Sequence, residues 1–433
     1  MAIELSNITF TEEDDIVPVS GAEKILNTGI ANTLAGSDTI IGTGTPDSAL
    51  GEGILNQGTL NTDDDNDIVI GTGNRLGLFN LGTLNTGNGN DEITGIGNQY
   101  LNNDVYCYGI FLQSSILDTG NGNDIITGIV AGLAEGSKGN GIYVNSSSLN
   151  TGDGNDTITG YGNGSGIHTN YLGKIDTGKG DDIITGTDGF IGISNFTLLN
   201  TSEGHDTIIG NGSIGIQNIG MFNTSDGNDI IIANADGGYS IYNYSGGTID
   251  TGEGNDIITS TGFISNNDGT INTGNGNDVI TSTGVIYNGG VIETGNGDDS
   301  IIVDAGIDDD ITGTTYGIYN NGGAINMGDG NDSIIANEGF KSAENSSGAW
   351  FLGEGEDYIK GYGSGDFYGG NGNDTLELTP GTYTVGIWGE AGESPIFIKG
   401  DQLMITSEFE KLKAGSTIYD FTSLTAGQII VVA

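Results

Sequence analysis

The residue type that could do chemistry here is an aspartate at the end of a glycine-rich turn. The stretch TGNGNDEITG (86–95) recurs as TGNGNDIITG (119–128), TGDGNDTITG (151–160), TGKGDDIITG (177–186), TGEGNDIITS (251–260) and TGNGNDVITS (273–282). Aligned on the last Asp, the copies give one column: Asp38, Asp67, Asp91, Asp124, Asp156, Asp182, Asp206, Asp229, Asp256, Asp278, Asp299, Asp332, Asp357 and Asp374. The position before it varies, with Asn in nine copies and Ser37, Asp181, His205, Asp298 and Glu356 in the rest. Asn caps turns about as well as Asp. A column that never takes Asn, beside one that takes it freely, uses its charge. If the copies stack, neighbouring carboxylates repel by a few kcal/mol at an effective dielectric near 20. A cation between successive copies removes that cost. Turn carbonyls with Asp oxygens make an all-oxygen, hard donor set that suits calcium. Carboxylates that splay into solvent, with no cation, are the alternative. The candidate ligands are the column from Asp67 to Asp374, with Asp366 added from a shorter repeat near the end of the array.

Stacking requires elements that repeat. The Asp-to-Asp spacing runs from 21 to 33 residues through the main body and falls to 17 at the last step. A fixed structural unit stacked many times explains such a period. Each unit reads as three short strands. The first has the form GIxN, as in GIYVN (141–145) or VIYN (285–288). The second is LNT, IDT or INT. The third starts on the Asp and carries an apolar residue two positions later, from Ile40 through Ile126 to Leu376. Short runs rich in Ile and bounded by Gly and Asn leave little room for helix. Gly occupies the position two before the Asp in thirteen copies, and Asp65 in the other; that position needs a positive φ. The expected fold is all-β: a right-handed parallel β-solenoid (β-helix or β-roll) with β caps at both ends. Ile columns would fill its core, and Asn218, Asn243, Asn266, Asn288 and Asn320 would form ladders. The expected organisation is a cap over 1–30, a long-coil solenoid over 31–350, a short-coil section over 351–378 and a β-rich cap over 379–433.

The turn GxGxD with an apolar residue two positions on resembles the GGxGxDxUx nonapeptide of the RTX (repeats-in-toxin) calcium-binding β-rolls. The resemblance is closest over Leu352 to Leu378, where GGNGNDTLE stands near the consensus. Across 31–327 each unit keeps one such turn on a longer coil, so one row of ions is expected there and two rows only in the short-coil section. The resemblance implies calcium held by the Asp carboxylates and by carbonyls of the adjoining Gly-x-Gly-x segment. It also implies type I secretion, with a signal at the uncleaved C-terminus. The segment FEKLKAGSTIYDFTSLTAGQIIVVA is similar to the ends of such chains.

Composition bounds the rest. Of 433 residues 81 are Gly and 4 are Pro; Lys plus Arg total 10 against 58 Asp plus Glu, a net charge of −48. Such a surface repels nucleic acid and anionic membranes. No apolar run is long enough to span a membrane, and the acidic start MAIELSNITFTEEDD is not a Sec-type signal. Cys107 is the sole cysteine, so no intrachain disulfide forms. Its expected role is a small buried apolar residue. His168 and His205 are the only histidines, and HExxH, GxSxG and GxxxxGK[ST] are absent. Acid groups at Asp63–Asp65 and Asp308–Asp310 are the nearest thing to glycosidase chemistry, and an enzyme is not expected. The leading expectation is a secreted, calcium-stiffened rod that polymerises with itself, head to tail or laterally, into a surface layer, sheath or fibre. The second is an adhesin for cell-surface polysaccharide using Tyr239, Tyr242, Tyr244 and Trp350. The third is ice binding through Thr94, Thr127, Thr159 and Thr185.

Overall fold

The structure, a computed structural model, describes residues 2–18, 23–44, 51–98, 106–131, 139–304, 306–309, 314–343, 348–389 and 394–433. The side chains of Asp188, of 307–309 and of 314–315 are also outside it, so the acids Asp308–Asp310 cannot be placed. Two compact units divide the chain: 1–226 with 231–236, and 227–230 with 237–433.

In the first unit most coils contribute three strands, as the sequence pattern requires. One coil runs Ile68–Gly73, Leu76–Asn80, Thr83–Asn85; the next runs Glu92–Asn98, Cys107–Gln113, Ile116–Asp118. Each strand pairs in parallel with its counterpart one coil on. Ile93 stands beside Val69 on one side and Ile126 on the other, and Leu84 between Leu60 and Leu117. Because side chains alternate across a strand, this register stacks like on like. Ile40, Val69, Ile93, Ile126, Ile158, Ile184 and Ile208 form one buried column; Ile54, Leu78, Ile110, Ile142, Ile167, Ile193 and Ile216 form another. Each such side chain contributes about 1.5–3 kcal/mol by leaving water. In two coils the corner is drawn out into single strands, Ile183–Asn195 and Thr207–Asn218, with a register slip between Gly186 and Gly189. Parallel pairing begins before the repeat does: Ala2–Glu4 pairs with Lys24–Asn27, and Ile16–Val17 with Thr39–Thr43. Cys107 is buried, and burial pushes its thiol up.

The second unit continues the three-strand plan with Tyr239–Asn243, Thr248–Asp250 and Ile257–Ser260. Coils shorten after Phe340–Ser342. From Ala349–Gly355 each coil has two strands: Tyr358–Lys360 follows, then Gly365–Gly372 and Thr375–Leu378. With one side of the triangle gone, large rings fill the middle. Trp350 continues the column of Ile325 and stacks on Phe367 at 4.3 Å, with Phe340 beside both. Trp350 is 0% exposed, which removes it from any sugar-binding platform. Its place in the apolar column is the reason. The last strands change to antiparallel pairing: Gly381–Trp388 lies between Ile429–Val432 and Ser394–Lys399, and Gln402–Ser407 pairs with Ser394–Lys399.

The buried asparagines form ladders in both units. Asn27 donates its amide to Asn56 and Asn56 to Asn80, each at 2.8 Å. Asn195 donates to Asn218 at 2.9 Å. Asn243, Asn266, Asn288 and Asn320 are linked in the same way at 2.9, 2.9 and 3.1 Å. Several of these amides spend their second N–H on a backbone carbonyl; that of Asn266 goes to Val291.

Candidate metal centre

The Asp column lines up at the start of the third strand, and its side chains turn inward rather than into solvent. All fourteen residues from Asp38 to Asp374 are at most 1% exposed. In the first unit the backbone N–H of Asp38 donates to Oδ1 of Asp67, Asp67 to Asp91, and so on through Asp124, Asp156 and Asp182 to Asp206, at 2.7–2.8 Å. In the second unit the same ladder runs from Asp229 through Asp256, Asp278, Asp299, Asp332 and Asp357 to Asp374, at 2.7–2.9 Å. Asp374 passes its own N–H to Oε2 of Glu410, which takes the next rung.

In most of these carboxyls only half is satisfied. In Asp38, Asp67, Asp91, Asp124, Asp156, Asp182, Asp256, Asp278, Asp299, Asp332, Asp357 and Asp374 the other oxygen, Oδ2, is buried and accepts no hydrogen bond. A buried carboxylate oxygen without a partner is costly. Burial therefore pushes these groups up: Asp182 to about 8; Asp67, Asp91, Asp156, Asp278 and Asp332 to about 7; Asp124, Asp206, Asp299, Asp357 and Asp374 to about 6. For most of them the charge of a neighbouring acid, often the next rung, adds to the rise. Asp38 and Asp256 rise for the same first reason.

The turn supplies the remaining oxygens. Gly89 (φ +156) and Gly122 (φ +146) occupy conformations that L side chains avoid, and the Gly89 carbonyl oxygen points at the Cα of Gly122 so closely that a methyl there would overlap it. Gly87 and Gly120 repeat the arrangement two residues earlier. Carbonyl oxygens thus line the inter-coil step beside the carboxyl ladder. Among the described residues no three His, Cys, Asp or Glu side chains converge. A cation here would draw on one or two carboxylates and, for the rest, on backbone, which is a calcium-type donor set.

Three features of the turn were not evident from its pattern. A Thr stands five residues before the Asp and is fully buried at Thr33, Thr62, Thr86, Thr119, Thr151, Thr177, Thr201, Thr224, Thr251, Thr273 and Thr294. Its hydroxyl ties successive coils together, donating to the Thr carbonyl one coil on, as Thr62 does to Thr86 at 3.4 Å and Thr151 to Thr177 at 3.2 Å. The repeated TG at the head of each copy was the available signal. Next, the side chain of the residue before the Asp accepts the backbone N–H of its counterpart one coil on: Asn123 N–H donates to Oδ1 of Asn90, Asn155 to Asn123, Asp181 to Asn155 and His205 to Asp181. That use is indifferent to Asn or Asp, which explains why this column varies. Finally, Asp63–Asp65 sit at the Gly-x-Gly positions, with φ +62 at Asp63 and +90 at Asp65. They are turn residues rather than an acid pair.

Asp366 does not join the ladder. Asp357 bonds directly to Asp374. Asp366 lies within the strand Gly365–Gly372, in register with Ala349 and Ile405, on the outer face. His168 is packed between Tyr143 and Phe196, and burial lowers it to about 4.

No protein-family model and no curated protein matches the sequence. Among solved structures the chain is similar to a hyperactive, Ca2+-dependent, β-helical antifreeze protein from an Antarctic bacterium. The identity is 20%, covering 81% of this chain and 84% of that one, with a TM-score of 0.36.

Proposed function

We propose that this chain is a calcium-binding β-solenoid that serves as secreted structural or surface material. The observation that carries the reading is the row of buried, unpartnered Oδ2 atoms. The molecule contains its own control. Where a neutral ladder suffices it uses Asn, whose amide satisfies both neighbours, as at Asn243, Asn266 and Asn288. In the turn it uses Asp at every copy and, at the twelve rungs named above, leaves an oxygen open. An ion between rungs would be held by Oδ2 of the column and by turn carbonyls such as those of Gly87 and Gly89. It supplies positive charge that lets the carboxylates stay ionised while buried.

Extracellular calcium is abundant enough for sites built from few charges, which supports a location outside the cell. The net charge of −48 opposes contact between chains, and bound calcium relieves it; association into a layer or fibre is part of this reading. Circular dichroism tests it. In chelator the β signal weakens and melts at a lower temperature, and titrated calcium restores it. A β signal indifferent to chelator refutes the calcium reading, and monomers at every calcium level by electron microscopy refute assembly.

One observation favours a second reading. Thr94, Thr127, Thr159 and Thr185 stand in strict register on the outer face of one sheet. A regular hydroxyl array of that kind suits ice binding, and a thermal-hysteresis assay decides it.

A further inference from the structure

The outer face of the C-terminal sheet carries a hollow that the calcium ladder does not use. Along Gly365–Gly372 and Gln402–Ser407, Phe367, Met404 and Thr406 point into the core. By strand alternation Asp366, Tyr368, Ile405 and Ser407 point outward, and the register sets Asp366 beside Ile405 and Tyr368 beside Ser407. Trp388, opposite Ser394 on the neighbouring pair, closes the group. Together they line a shallow cavity of about 230 Å³. That is below the volume typical of drug-sized pockets and on the scale of a small ring.

Its chemistry is specific. Trp388 is 57% exposed, and no other ring packs on it among the described residues. Along the first unit's outer face a row of aromatics is covered instead: Phe79 stacks on Phe111 at 4.9 Å and Phe111 on Tyr143 at 5.2 Å. Beyond Tyr368 the same row continues to Phe351, stacked on it at 4.9 Å. The Asp366 carboxylate accepts no side-chain hydrogen bond among the described residues, and Ser394 and Ser407 line the same hollow. An open indole face beside an uncommitted carboxylate and hydroxyls matches a molecule with one apolar C–H face and a rim of O–H donors.

We propose that this hollow binds a neutral sugar ring, stacked on Trp388 with its hydroxyls donating to Asp366. The acidic surface, −48 over the chain, excludes uronate polymers and selects uncharged glycans. The site is independent of the calcium ladder, so it can fail while the ladder reading stands.

The two tryptophans make the test selective, since Trp350 is fully buried and Trp388 is not. The full chain in calcium is titrated with maltohexaose, cellohexaose and mannohexaose. Tryptophan emission and saturation-transfer NMR are read, with circular dichroism as the folding control. At least one oligosaccharide is expected to shift emission saturably and protect it from iodide. Asp366→Asn weakens binding about tenfold or more. Trp388→Ala abolishes saturation transfer with the calcium-dependent β signal unchanged. Tyr239→Ala, at a separate aromatic cluster, changes nothing. The proposal is overturned if none of the three sugars perturbs Trp388, if binding survives both Asp366→Asn and Trp388→Ala, or if alginate oligosaccharides bind as tightly.

Discussion

Asp156 shows what the column does at the level of one side chain. Its Oδ1 holds the N–H of Asp124, and its Oδ2 is left open. Asp156→Asn keeps the acceptor and removes the charge. The variant is expected to melt higher than the parent in chelator and lower in saturating calcium, each by about 1–3 kcal/mol; paired thermal scans check both. Equal shifts of one sign in the two conditions contradict an ion at that rung. The invariance of Asp at this position could be read from the sequence, because the neighbouring column served as comparison. The inward aim of the side chain could not: a repeated Asp in a Gly-rich turn reads equally as a solvent-facing carboxylate. Only the N–H to Oδ1 bond between coils fixes the direction.

At the level of the coil, glycine geometry and core volume set the limits. Gly122→Ala would place a methyl on the Gly89 carbonyl at φ +146. It is expected to cost at least about 2 kcal/mol, against a change within about 0.5 kcal/mol for Asn90→Asp, measured by denaturant titration in calcium. Trp350→Ala empties the centre of the two-strand coils and is expected to cost about 3–5 kcal/mol by the same measurement. The three-strand coils were legible because apolar residues recur every second position beside a fixed turn. Asp366 and Trp350 were misplaced where the coil loses a side. GSGDFYG repeats the letters of the turn, but in Gly365–Gly372 those residues are already strand, and strand parity sends Asp366 outward. Trp350 continues Ile325 in register, a relation hidden by the change of period.

For the molecule as a whole the carboxyl ladder sets the response to pH. In the metal-free chain these groups stand above the unfolded value of about 3.9, most of those whose rise is large between about 6 and 8. Such a group stabilises the fold while protonated. The contribution is complete below about pH 4 and is lost as pH rises through the folded values. In chelator, stability should fall from pH 4 to pH 8. In excess calcium, which competes with protons, it should instead be sustained or rise over the same range. Melting temperatures across pH in both conditions check the crossing, and parallel profiles refute it.

The two ladders of the turn run in opposite senses. Each Asp N–H reaches forward to the carboxyl of the next coil, as Asp91 does to Asp124, while each residue before it reaches back, as Asn123 does to Asn90. A coil therefore has two chemically unlike faces, one presenting a carboxyl oxygen where the other presents an amide hydrogen. A stack built this way has polarity, like a row of arrows. The outer ends of this ladder are already taken within the chain: the Asp15 N–H fills Oδ1 of Asp38, and Glu410 accepts the N–H of Asp374, so another chain adding along the ladder would have to displace one of these caps.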